Sequence, residues 1–144
     1  NCSIWMPIDP VPLESTIQFL RGSHRWGRWF HPRKFATTLN YEVIQGQGHQ
    51  KYEDIHEIEK DLNKYEILQW HVEPGDCVVF HMLTLHGAPG NKTSTPRRVL
   101  STRWLGDDCV LAERPWEVSP PITGGLLPRQ KMSESEIFPI IWRK

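Results

Sequence analysis

Twelve prolines and ten glycines are scattered through the 144 residues of this chain, and no other feature limits its fold as much. Proline lacks a backbone N–H and fixes its own φ, and glycine favours turns, so punctuation this dense leaves room only for short elements. Residues 2–8 read as a buried strand that ends at Asp9-Pro10, and residues 16–20 as a second, followed by the turn Arg21-Gly22-Ser23. Residues 65–72, 77–81 and 97–104 carry the apolar and β-branched side chains of further strands, with Glu73-Pro74-Gly75-Asp76 as a turn between the first two of these. One short helix is legible near 55–64. Asp54 and Glu57 make a D-x-x-E capping signature, and Ile55, Ile58 and Leu62 recur at i, i+3 and i+7. Short strands with one helix predict a mainly β fold, a sandwich or jelly roll.

Charge and cysteine content exclude several functions. Lysine plus arginine and aspartate plus glutamate number 17 each, so nothing argues for nucleic acid or an anionic membrane as partner. No apolar run reaches the length of a membrane span, and no signal peptide is readable. Cys2, Cys77 and Cys109 are far apart and odd in number, which suggests neither a disulfide framework nor a zinc knuckle, and a reducing, cytoplasmic setting is expected. The chain enters an apolar stretch directly after Asn1, so it is expected to be the C-terminal part of a single jelly-roll domain that spans residues 1–144 here and is incomplete at its N-terminus.

Seven histidines are the first candidates for chemistry. His31, His49 and His56 lie in polar or helical surface stretches. His71 and Glu73 have the H-x-E spacing that puts two side chains on one face of a strand, but the strand ends there in a turn. His81 follows an apolar strand, and His86 follows a short apolar link and precedes a glycine. Arg97 comes eleven positions after His86. An imidazole and a guanidinium fork suit a metal that also binds a dicarboxylate, because the metal takes the neutral ring and the fork grips two oxygens. Arg97, Val99, Ser101 and Arg103 share one strand face and Arg98, Leu100, Thr102 and Trp104 the other, so only one of the two adjacent arginines can face an interior. Chemistry alone leaves this constellation level with a plain β-sandwich holding a core histidine and surface arginines.

The segment Gly75-Asp76, His81, Leu85-His86-Gly87, Asn91-Lys92, Arg97-Arg98 and Ser101 resembles the distal metal-binding segment of the phytanoyl-CoA dioxygenase family. Upstream, Trp5-Met6-Pro7-Ile8-Asp9 and the run from Ile17 through Gly22-Ser23-His24-Arg25 resemble that family's strand and its turn. Downstream, Trp104-Leu105-Gly106-Asp107-Asp108 and Phe138-Pro139-Ile140 are similar to one branch of it. The resemblance implies a double-stranded β-helix, a cupin-like jelly roll with iron at one open end. It implies an Fe(II)- and 2-oxoglutarate-dependent dioxygenase that takes O2 and hydroxylates a small organic or acyl substrate.

By the same resemblance His86 is the distal histidine of an H-x-D plus histidine triad, with His81 the runner-up. Arg97 matches the arginine that grips the far carboxylate of 2-oxoglutarate, with Arg98 the fallback. Trp5 and Ser101 complete the expected cosubstrate set, and His24 is assigned to the turn. Two departures stand out. Ala88 occupies a position where members often carry a serine that assists the cosubstrate. The H-x-D pair is absent from residues 1–144 and is expected upstream of Asn1, which would leave this chain inactive alone. A halogenase of the same fold and a non-catalytic jelly-roll binding module are the alternatives. The aromatic, basic segment 28–53, with Trp29, Phe30, His31, Phe35 and Tyr41, is a candidate lid.

Overall fold

The computed structural model describes residues 1–34, 37–44, 51–117 and 122–142. Eight strands lie among them: β1 (Cys2–Pro7), β2 (Gln18–Leu20), β3 (Phe30–His31), β4 (Glu53–Asp54), β5 (Ile67–Leu68), β6 (Val78–His81), β7 (His86–Gly87) and β8 (Val99–Trp104). The fold is mainly β with almost no helix, a jelly-roll-like sandwich as the punctuation of the sequence predicts. The chain divides into two compact units, Asn1–Arg28 with Ile55–Trp104 and Trp29–Asp54 with Leu105–Lys144. No helix among the described residues is long and apolar enough to cross a membrane.

The first unit holds two antiparallel three-stranded sheets, in the orders β6-β1-β8 and β5-β2-β7. In the first sheet Ser3 stands opposite Phe80 and Arg103, and Trp5 opposite Val78 and Ser101. Residues directly opposite share a face, so these six side chains line one side of the sheet. In the second sheet Phe19 stands opposite Leu68 and His86. The Phe80 ring lies 4.8 Å from that of Phe19 and 4.9 Å from that of His86. The Phe80 side of the first sheet therefore faces the second across the sandwich. Phe19, Leu20 and Ile17 are buried beside it, and the bridge between Val11 and Val72 buries both of those residues.

The outer face of the first sheet is apolar but open. Val79 and Leu100 are 58% and 52% exposed, and Ile8, just past β1, is 55% exposed.

The helix expected over 55–64 is shorter than its pattern suggests. It is one α turn, α1 (His56–Glu59), then a 3-10 turn at Leu62–Lys64, with Asp61 between them at φ −130°. Asp54 does not cap it. Asp54 is paired in β4, and Ile55 occupies the N-cap with no side-chain cap bond, so strand pairing overrides the local capping signature. Ile58 alone of the three periodic apolar residues is fully buried.

In the second unit β3 and β4 pair in parallel. Trp116 is buried there between the His31 ring, stacked at 4.6 Å, and the Tyr52 ring, edge-on at 4.6 Å. Of the aromatic and histidine residues singled out in the sequence, Phe35 and His49 lie outside the described residues. Ser135 donates its hydroxyl to the Gly124 carbonyl at 2.7 Å and closes the 122–138 loop.

Two tests follow from these contacts. Gly124 has φ +66°, and a Cβ there would meet the Ser135 hydroxyl and, at 2.8 Å, the Phe138 ring. Gly124→Ala is expected to cost about 1–3 kcal/mol in urea unfolding; an unchanged midpoint would refute the packing of this loop. Arg98 grips Asp9 with Nε at 2.9 Å and Nη2 at 2.7 Å, and its backbone N–H donates to the same carboxylate at 2.7 Å. These bonds hold the Asp9 carboxyl down to about 2 from an ordinary 3.8. A lowered carboxyl contributes stability above its ordinary value and loses it as pH falls through the lowered one. Asp9→Asn should thus be less stable than wild type at neutral pH, with the gap closing between pH 3.8 and about 2. A gap that ignores pH would mean that the ion pair contributes nothing.

Candidate metal and cosubstrate site

The chain reaches the site through two short β elements. Leu20 donates its N–H to the Leu85 carbonyl at 3.0 Å, and Leu85 in turn donates to the Ser23 hydroxyl at 2.9 Å. Ser23 is buried, and Gly22 beside it takes φ +72°, a conformation that favours glycine. This Gly-Ser-His turn anchors the residue before His86, and β7 then sets His86 opposite Phe19.

His86 Nδ1 lies 2.8 Å from the Thr84 carbonyl oxygen. A carbonyl only accepts, so Nδ1 carries the proton and Nε2 is left as the bare nitrogen. That is the tautomer a metal-ligating histidine adopts, with its second nitrogen bonded to a carbonyl. One side of the ring is exposed and the other packs on Phe80 and Phe19. Burial is the main cause that pushes its pKa down; the Thr84 bond opposes this and the Arg103 charge adds to it. The ring is therefore neutral, and available to a metal, at neutral pH.

His81 is placed differently. It has the opposite strand parity to Phe80, stacks on His24 at 5.3 Å and accepts the Leu83 N–H at Nδ1. Burial, then His24 and the N-terminal charge, lower its pKa. The surface pair His71 and Glu73 bond to each other on the exposed side of their segment. Among the described residues no group of three His, Cys, Asp or Glu side chains could hold a metal ion. The residues present thus fit iron as a single imidazole ligand.

Arg97 lies just before β8 and is half-buried. Its Nη1 donates to the carbonyls of Ser15 and, at 3.3 Å, Pro89. Carbonyls leave its charge uncompensated, and among the described residues no carboxylate pairs with it. Arg98, by contrast, is exposed and spent on Asp9. Trp5 is half-buried on the inner face of β1, with Ser101 opposite it on β8. The Ser101 hydroxyl accepts from Arg103 Nη1 at 2.6 Å. The strand alternation put Arg103 on this face, but only the fold brings its charge to His86. The proton on Nδ1 had no sequence signal, because it depends on where Thr84 sends its carbonyl.

The sequence model of the phytanoyl-CoA dioxygenase (PhyH) family matches residues 1–99, which contain β1 to β7, His86 and Arg97. The chain belongs to the phytanoyl-CoA dioxygenase family. Family membership implies an oxygenase-type function that depends on Fe(II) and 2-oxoglutarate, with a small-molecule substrate and O2 as co-reactant. No curated protein and no solved structure matches the chain. For this PhyH-family chain, ring NMR should find His86 as the Nδ1–H tautomer, titrating below the ordinary 6.5. An Nε2–H ring would contradict the site described here.

Proposed function

We propose that this chain carries the distal half of an Fe(II)/2-oxoglutarate site. In this reading His86 Nε2 is one iron ligand, and Arg97 grips the far carboxylate of 2-oxoglutarate. Trp5 and Ser101 lie along the cosubstrate, and the remaining two ligands are an H-x-D pair upstream of Asn1. The observation that carries it is the His86 tautomer: Nδ1 is committed to Thr84 and Nε2 is bare beside the aromatic floor of the sandwich. When bound, iron with 2-oxoglutarate and O2 supplies oxidative decarboxylation to succinate coupled to hydroxylation of a C–H bond. The chain's own part is orientation and exclusion of water. The Arg97 fork fixes the diacid end-on, and its free Nε and Nη2 groups supply the donors that a carboxylate needs. Phe19 and Phe80 wall the ring of His86 on its inner side. Ala88 offers no hydroxyl, so the hold on 2-oxoglutarate falls mainly on Arg97. The substrate on this reading is a small organic or acyl compound.

The test uses the natural protein that contains this chain, read by 2-oxoglutarate-dependent succinate formation and by Fe(II) binding. His86→Ala is expected to abolish both. Arg97→Gln should raise the KM for 2-oxoglutarate by about tenfold or more, the loss of a charge-assisted bond. Arg98→Gln should leave that KM within about twofold. An effect at Arg98 with none at Arg97 would overturn the cosubstrate assignment.

A further inference from the structure

The inner face of the first sheet ends in a cation that the reading above does not use. Arg103 stands opposite Ser3, and Ser3 opposite Phe80, so the three form one row across β8, β1 and β6. The Phe80 ring is 4.9 Å from the His86 ring. Ser3, between them, is small and buried, so no bulky side chain in the row separates Arg103 from the Phe80 end. The neighbouring row is Val78, Trp5 and Ser101, and the 2.6 Å bond from Arg103 Nη1 to the Ser101 hydroxyl turns the guanidinium back along the inner face. Among the described residues no carboxylate pairs with Arg103, and its remaining N–H groups have no partner.

Arg103 is also well separated from Arg97. Six residues of strand span roughly 20 Å of backbone. A five-carbon diacid held at Arg97 and reaching toward Trp5 and Ser101 meets only the Nη1 side of Arg103, which is bonded to Ser101, and leaves its other donors for a second ligand. The surface between Arg103 and His86 is aromatic and apolar, from Trp5, Val78 and Phe80, and ends in a cation. Such a surface suits a molecule with an apolar body and an anionic head.

We propose that Arg103 is a specificity-determining residue that binds the anionic head of a carboxylate-bearing substrate, whose apolar part lies along Trp5 and Phe80 toward His86. The inference rests on the reading of His86 and Arg97 as the iron and cosubstrate residues. Its competitor is an arginine that only guards the edge of β8 against pairing with other chains.

Hexanoate is the probe, titrated into the 15N-labelled natural protein that contains this chain and read at the arginine Nε–Hε signals, which Arg97→Lys and Arg103→Lys assign. Hexanoate is expected to shift the Arg103 signal saturably, and hexan-1-ol, which lacks the charge, is not. Arg103→Gln should weaken hexanoate binding by about tenfold or more, while 2-oxoglutarate still shifts the Arg97 signal. No hexanoate shift at Arg103 in the wild type, or an unchanged hexanoate affinity in Arg103→Gln, overturns the proposal. The cosubstrate reading fails separately, if 2-oxoglutarate leaves the Arg97 signal unmoved.

Discussion

The contact of Phe80 with Phe19 and His86 decides the geometry of the first unit. Phe80 comes from the sheet β6-β1-β8, and Phe19 and His86 from β5-β2-β7, so one aromatic side chain spans the space between them. Aromatic pairs at this separation add to the burial of their area, and the geometry is tilted rather than stacked face to face. Once Phe80 is inside, strand parity puts Ser3, Trp5, Ser101 and Arg103 on the same face of the sheet, with Ser101 and Arg103 at its open end, and Val79 and Leu100 on the other. A one-residue slip of β6 on β1 would exchange Phe80 for Val79 and remove the wall against which His86 packs.

That contact also gives His86 its character. The ring is pressed on aromatic carbon on one side and reaches open space on the other, and its Nδ1 is held by the Thr84 carbonyl two residues back. The same turn is tied to β2 through the Ser23 hydroxyl. The Gly22-Ser23-His24 turn thus acts on the site through the Ser23 hydroxyl, and its histidine stacks on His81 away from the Phe80 side.

Much of this was legible in the residues. Turn-forming residues marked the strand ends, so the strands around 2–8 and 77–81 were readable with small errors at their edges. Alternation separated Arg97 from Arg98 before either partner was known. Their partners were not readable, because Asp9 and the Ser15 carbonyl come close only when β1 returns against β8. The helix near 55–64 was overestimated for a related reason: Asp54 is a good cap in isolation but is already bonded in a strand pair. Spacing alone also left His81 and His86 open as alternatives. Their different surroundings arise from the 81–85 turn, which is closed locally by the Thr84 N–H on the His81 carbonyl and tied to a distant segment by the bond from Leu85 to Ser23.

The central claim is that His86 is one of three ligands to an iron whose other two come from an H-x-D pair. Reading the coding sequence upstream of Asn1 tests it most directly. The account predicts a histidine and an aspartate two residues apart, about fifteen residues before Asn1. A small residue in place of the aspartate would keep the metal but favour halogenation. A start codon immediately before Asn1, with no ligand pair, would contradict the account and leave a jelly-roll binding module.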